Sequence, residues 1–222
     1  MTSSISESIA AIRASLPASV RLIAVSKHKP IELMREAYSA GIRDFGESRI
    51  QEAASKQTQL QDLPDITWHF LGNLQSNKAK KALELFDWIH SVDNLPIAQR
   101  LDTLAQQLGV SPLVCLQVKI LPDPNKSGWM IPELLADLPT LNQYKNLQIQ
   151  GLMTIPPRGL DDGEIVNVFH RTHQLAQEIA SQNWTRIKMQ HLSMGMSGDY
   201  QWAVKAGATM VRLGTILFGQ RT

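Results

Sequence analysis

Short apolar runs alternate along this chain with longer stretches in which apolar residues recur every three or four positions. The first run lies in Arg21–Lys29, RLIAVSKHK. Val20, Leu22, Ile23 and Val25 are uncharged β-formers, so it predicts a strand buried on both faces. With a side-chain period of two, Ile23, Val25 and Lys27 share one face. Lys27 then sits at the carboxyl end of a strand, at the lip of an apolar interior, which is where α/β proteins bind ligands. A lysine at a strand end is by itself more often a solvated residue.

The alternation continues to the end of the chain. A helix over 3–16 precedes the first strand, with Ile5, Ile9 and Ile12 at helical spacing. Pro30 opens the next helix, whose stripe is Ile31, Met34, Ala37 and Tyr38 and whose cap is Gly41. Further strands are predicted at 42–46, 67–72, 88–92, 113–120, 147–155, 190–194 and 210–213. Helices are predicted at 48–60, 78–86, 132–138, 162–182 and 200–206. Another carries Ile97, Leu101, Leu104 and Leu108 and closes at Gly109. Eight strands, each followed by a helical pattern, predict a parallel sheet with helices outside, closed into a (β/α)8 TIM barrel. An open doubly wound sheet is the alternative, since 222 residues is shorter than the ~250 of a common barrel. No linker composition divides the chain, so 1–222 reads as a single domain with a short N-terminal helix.

Composition narrows the function classes. A net charge of +2 is too mild to argue for nucleic acid or an anionic membrane. Lys78–Lys81, KAKK, reads as a solvated helix face. Cys115 stands alone in an apolar run, so neither a disulfide framework nor a cysteine zinc site is expected. No apolar run approaches 18 residues, and the N-terminus lacks a basic segment followed by an apolar one. A cytoplasmic protein is the expectation.

Five predicted strand ends carry polar or glycine-rich residues. They are Lys27, then Gly46-Glu47-Ser48, Gly72-Asn73, the stretch 193–199 (SMGMSGD), and Arg212-Leu213-Gly214-Thr215. The last two belong to units seven and eight, the common phosphate site of barrels. Glycines let backbone N–H groups approach an anion, and the hydroxyls of Ser193, Ser197 and Thr215 can add donors. Arg212 shares a face with Met210 and Gly214; turned inward, its guanidinium needs a partner. That partner is either structural, for example Glu47, or a ligand nitrogen or oxygen. His170 and His173 have a possible metal spacing without a third ligand, and His69 reads as a core histidine. Met194 and Met196 read as packing. There is no HExxH, P-loop, GxSxG or GxGxxG pattern.

Several motifs in one order resemble the pyridoxal phosphate homeostasis protein family. They are AVSK at Ala24–Lys27, FGES at Phe45–Ser48, WHFLGNLQSNK at Trp68–Lys78, IHSVD at Ile89–Asp93 and NKSG at Asn125–Gly128. GLMTIP at Gly151–Pro156, LSMGMSGDY at Leu192–Tyr200 and VRLGTILFG at Val211–Gly219 complete the set. The resemblance implies a barrel like the N-terminal domain of alanine racemase, with pyridoxal 5′-phosphate (PLP) in its mouth. It implies that Lys27 forms the Schiff base and that Lys29, outside the motif, does not. It implies Arg212 against the pyridine nitrogen. Ser193, Gly195 and Ser197, with Gly214 and Thr215, would hold the phosphate. Where the family often has asparagine this chain has Ser48, which is shorter and lacks an amide.

A Schiff base needs a neutral amine, which desolvation or a nearby cation favours over the ordinary ~10.4 of lysine. An arginine at the ring nitrogen keeps its proton and weakens the ring as an electron sink. Racemases of this type still need a second base, a tyrosine that alanine racemases take from a partner chain with an extra C-terminal domain. This sequence ends at Thr222 after the barrel, and Tyr38, Tyr144 and Tyr200 fall in helices or a loop. The expectation is a monomeric PLP-binding and regulatory protein without catalytic turnover, serving vitamin B6 and amino-acid pools, with PLP-dependent apoenzymes as possible recipients. A weak PLP-dependent racemase is the alternative, and a phosphate-ligand barrel enzyme unrelated to PLP is a third reading.

Overall fold

Ser4 caps the first helix with a capping box: its hydroxyl accepts the Glu7 N–H, and the Glu7 carboxylate accepts the Ser4 N–H. The computed structural model describes residues 4–219; the predicted start of the first helix at Ser3 lies outside them. The helices are α1 (Ile5–Ser15), α2 (Ile31–Ser39), α3 (Ile50–Gln59), α4 (Ala79–Leu85), α5 (Leu95–Leu108), α6 (Ile131–Leu141), α7 (Asp162–Ser181), α8 (Tyr200–Lys205) and α9 (Thr215–Phe218). The strands are β1 (Arg21–Val25), β2 (Asp44–Glu47), β3 (Thr67–Phe70), β4 (Trp88–Val92), β5 (Leu113–Lys119), β6 (Trp129–Met130), β7 (Gln148–Met153), β8 (Ile187–Ser193) and β9 (Met210–Leu213).

Eight of these strands form a closed parallel ring, β1-β2-β3-β4-β5-β7-β8-β9, with β9 returning to β1. The closed barrel is therefore the architecture, and the open sheet is not. Strand alternation sorts the apolar residues into two compartments. Ile23, Trp88, Cys115, Met153 and Met210 fill the barrel interior. A larger core lies between the ring and the helices, with Phe45, Phe70, Leu101, Leu116 and Phe169 fully buried in it. Residues one apart on a strand serve different compartments, which is why the strands are apolar runs rather than alternating patterns.

The differences from the sequence reading have local causes. β1 stops at Val25 because the chain turns there, with His28 at φ +60. β8 starts at Ile187, three residues before its predicted start, because the exposed Lys188 and Gln190 give that end little apolar signal. α6 continues through Pro139 to Leu141, since Leu138 and Leu141 both pack in the core. The two-residue β6 pairs with β5 outside the ring and has too few residues to show a period. Gly151 is required where β7 meets β8: a Cβ there would stand 1.7 Å from the His191 carbonyl oxygen.

Candidate functional site in the barrel mouth

Lys27 follows β1 by two residues, in a turn that α3 holds in place. Lys56 of α3 reaches inward and donates to the Ser26 carbonyl at 2.7 Å, to Glu47 Oε1 at 2.7 Å and to Glu52 Oε1 at 2.7 Å. The Ser26 hydroxyl donates to the same Glu47 oxygen at 2.7 Å. Glu52 in turn accepts the His28 N–H at 2.5 Å. Burial pushes the Glu47 carboxyl up, against the pull of Lys56 and Ser26. The four groups clamp the turn to its neighbour strand and helix and so fix the backbone beside Lys27. Lys29 is turned elsewhere: its amine donates to the Phe218 and Gly219 carbonyls, each at 3.2 Å.

A cavity of about 300 Å³ opens at the carboxyl ends of the strands. Val25, Leu71 and Ile155 give it apolar walls; Lys27, Ser197, Arg212, Gly214 and Thr215 line the same space. Ser48 and Glu47 also border it. Ser193 and Gly195 are placed elsewhere. Ser193 is fully buried in the barrel interior and accepts from Arg212 Nη1 at 2.7 Å. Gly195 adopts φ +93, and its carbonyl accepts the Arg212 N–H at 3.0 Å. A Cβ on it would lie 2.7 Å from that of Ala203, so this glycine lets α8 pack close. Two larger surface hollows, about 570 and 650 Å³, lie over α3–α4 and over the loop 122–126. Neither contains a buried cation, and neither shares a lining residue with the cavity that holds Lys27 and Arg212.

Arg212 is buried, with side-chain bonds to Ser193 and, through Nη2 at 3.0 Å, to the Thr154 carbonyl. Among the described residues it makes no ion pair with Glu47, whose Oε1 is taken by Lys56 and Ser26. Burial pushes the guanidinium down to about 10, opposed by Asp199, so it stays cationic at neutral pH. A guanidinium has five N–H donors, and two neutral oxygens leave capacity for an acceptor in the cavity. At the rim, the Gly214 and Ile216 N–H groups converge on Ser197 Oγ at 3.3 and 3.4 Å. Converging amides beside a hydroxyl form an anion-binding arrangement. An amine, a cationic planar donor and an anion cradle on an apolar floor match the aldehyde, ring nitrogen and phosphate of PLP. The donor set therefore fits that group.

Beneath the cavity, a line of buried polar groups runs through the barrel. Asp44 Oδ1 lies 2.9 Å from His69 Nε2, and His69 Nδ1 lies 2.9 Å from His90 Nε2. His90 Nδ1 lies 2.8 Å from the Ser193 hydroxyl. His69 is the core histidine expected from the sequence; His90 in IHSVD gave no separate signal beyond its motif. Burial holds both imidazoles below their usual range, His69 against the pull of Asp44, and His90 further down beside His69 and Arg212. In the unfolded chain each binds a proton near ~6.5. Below that pH the unfolded state takes up protons that the folded state refuses. Stability is thus full above about pH 6.5 and falls as pH drops towards the depressed folded values. The slope is at most ~1.4 kcal/mol per pH unit for each ring. Urea unfolding at pH 7.5 and pH 5.5 should show a lower midpoint in acid, and the difference should shrink in His90→Asn.

The remaining candidates fall outside the cavity. His173 Nδ1 contacts the Ala206 carbonyl at 2.8 Å, and no group of potential metal ligands exists among the described residues. Burial pushes the Cys115 thiol up to about 12, so it behaves as packing. None of the three tyrosines lines the cavity: Tyr38 bonds Asp65, and Tyr200 lies 3.4 Å from the Ser15 hydroxyl. Among the described residues, no helix is long and apolar enough to cross a membrane.

The family model described as alanine racemase, N-terminal domain, matches residues 2–222. A pyridoxal phosphate homeostasis protein of Synechocystis is 56% identical over 210 residues, covering 95% of each chain. The chain belongs to this family. The solved structure of PipY from Synechococcus elongatus, which has PLP bound, matches with a TM-score of 0.93 at 53% identity, over 97% of this chain and 100% of that one. An alanine racemase of Clostridium difficile matches with a TM-score of 0.77 at 16% identity, covering 97% of this chain and 59% of its own. That last likeness is one of fold.

Proposed function

We propose that the protein binds PLP in the barrel mouth and holds it reversibly, as a carrier and regulator of the vitamin B6 pool rather than as an enzyme. The observation that carries this reading is the convergence of Lys27, Arg212 and the Ser197–Gly214–Ile216 cradle on one cavity of about 300 Å³. It is supported by the PLP in PipY and by the relatives named for PLP homeostasis. Bound there, PLP would supply an aldehyde carbon as electrophile for the Lys27 amine. Arg212 donates to the ring nitrogen. Ser197, Gly214 and Thr215 hold the phosphate, while Ser193 and Gly195 orient Arg212 from behind.

The absence of turnover follows from the donors. A permanently protonated arginine at the ring nitrogen leaves that nitrogen without a proton and the ring a poor electron sink. No tyrosine borders the cavity to serve as a second base. The protein acts as a monomer and passes PLP to apoenzymes. Borohydride reduction of the PLP-loaded protein, followed by peptide mass mapping, tests the assignment. The label is expected on Lys27, in the peptide that spans β1; a label on another side chain, or none, overturns it.

A further inference from the structure

The polar line under the cavity has one self-consistent set of hydrogens. The Asp44 carboxylate, which also pairs with Arg21 at 3.4 Å, only accepts, so His69 Nε2 carries a proton. In a neutral ring His69 Nδ1 is then an acceptor, and His90 Nε2 must donate to it. His90 Nδ1 accepts in turn, from the Ser193 hydroxyl. Ser193 Oγ is left to accept from Arg212 Nη1. Every bond points the same way, from Arg212 towards Asp44. The opposite sense fails: with both rings donating towards Ser193, its hydroxyl proton would have no acceptor within the line, and Asp44 would face either a bare ring nitrogen or a doubly protonated ring.

We infer that Asp44, at the amino end of β2 and so at the far end of the barrel from the mouth, sets the sense of this chain and is, with His69 and His90, a positioning residue for Arg212. The chain commits one N–H of Arg212 to Ser193 and the Thr154 carbonyl takes another, which fixes the guanidinium plane and directs its other donors into the cavity. Asp44 has a side chain one-fifth exposed, whereas His69, His90 and Ser193 are buried. The proton arrangement beside the cavity is therefore decided at the opposite end of the fold. The effect on ligand binding rests on the PLP reading above; the tautomer assignment does not.

Side-chain nitrogen NMR of histidine-labelled protein without added ligand tests the chain. His69 and His90 should both appear as neutral Nε2–H tautomers. In Asp44→Ala, both rings should lose that preference. In Asp44→Asn, whose carbonyl oxygen still accepts, the preference should be retained, and this variant also serves if the alanine form does not fold. Titration of PLP into the same samples should show affinity about tenfold weaker in Asp44→Ala and restored in Asp44→Asn. Wild-type tautomers of any other kind, or tautomers indifferent to Asp44→Ala, overturn the chain. Tautomers that respond while PLP affinity stays the same overturn the positioning of Arg212. Wild-type protein that does not bind PLP at all overturns the reading of the cavity and leaves the tautomer result standing.

Discussion

Replacing Lys27 by alanine should abolish covalent retention of PLP. The loaded wild-type protein should keep a visible absorption band through gel filtration, and Lys27→Ala should lose it. Arg212 and the Ser197–Gly214–Ile216 cradle remain, so a weaker, freely exchanging complex is expected. Its affinity should be at least tenfold lower, ~1.4 kcal/mol. Fold and stability should change little, within about 1 kcal/mol, because residue 27 lies half-buried in a turn outside both hydrophobic cores. Lys29→Ala makes the contrast: the Lys29 amine is held by the Phe218 and Gly219 carbonyls, so the label should still map to Lys27. A Lys27→Ala protein that keeps the band, with the label moved elsewhere, would contradict the assignment.

Lys56→Ala should destabilise the protein by about 3–5 kcal/mol, the usual cost of leaving one member of a buried ion pair behind. The Glu47 side chain has no solvent exposure, and among the described residues its Oε1 is bonded by Lys56 and Ser26. Removing the amine also frees the Ser26 carbonyl and Glu52, and with them the turn that carries Lys27. Urea unfolding gives the stability change. The double variant Lys56→Ala with Glu47→Gln should recover part of it, since a neutral amide is less costly to bury than a carboxylate. A loss below ~1 kcal/mol for the single variant would mean that water or a rearranged side chain replaces the amine.

The sequence carried the barrel further than it carried the site. Runs such as 113–119 are apolar because both faces of a ring strand are covered, and this pattern survives in the linear chain. Lys27 and Arg212 were legible because each sits at the end of such a run, and the motif order tied them to one family. Ser193 and Gly195 were expected at the phosphate because their stretch is rich in glycine and hydroxyls. In the structure Ser193 bonds Arg212 inside the barrel and Gly195 packs against Ala203, while Ser197 lines the cavity; that sorting depends on how the chain turns after β8, which leaves no mark on local composition. Of the Lys56 clamp only the Glu52 pair, four residues away on α3, had a local signal; its other partners, Glu47 and the Ser26 carbonyl, lie nine and thirty residues away.

By itself the sequence determined the strand–helix alternation and the covering of its strands on both faces, and it singled out Lys27 as the candidate amine and Arg212 as the candidate inward cation. Periodicity and local composition are properties of neighbouring residues, so they can be read along the chain. Closing the ring was a tertiary matter, because it depends on β9 finding β1 across nearly two hundred residues. So was the line from Asp44 to Arg212, whose members come from β2, β3, β4, β8 and β9 and meet only inside the closed barrel. Hydrogen-bond partners so far apart in sequence impose no spacing on the chain, and so only the fold could assign them.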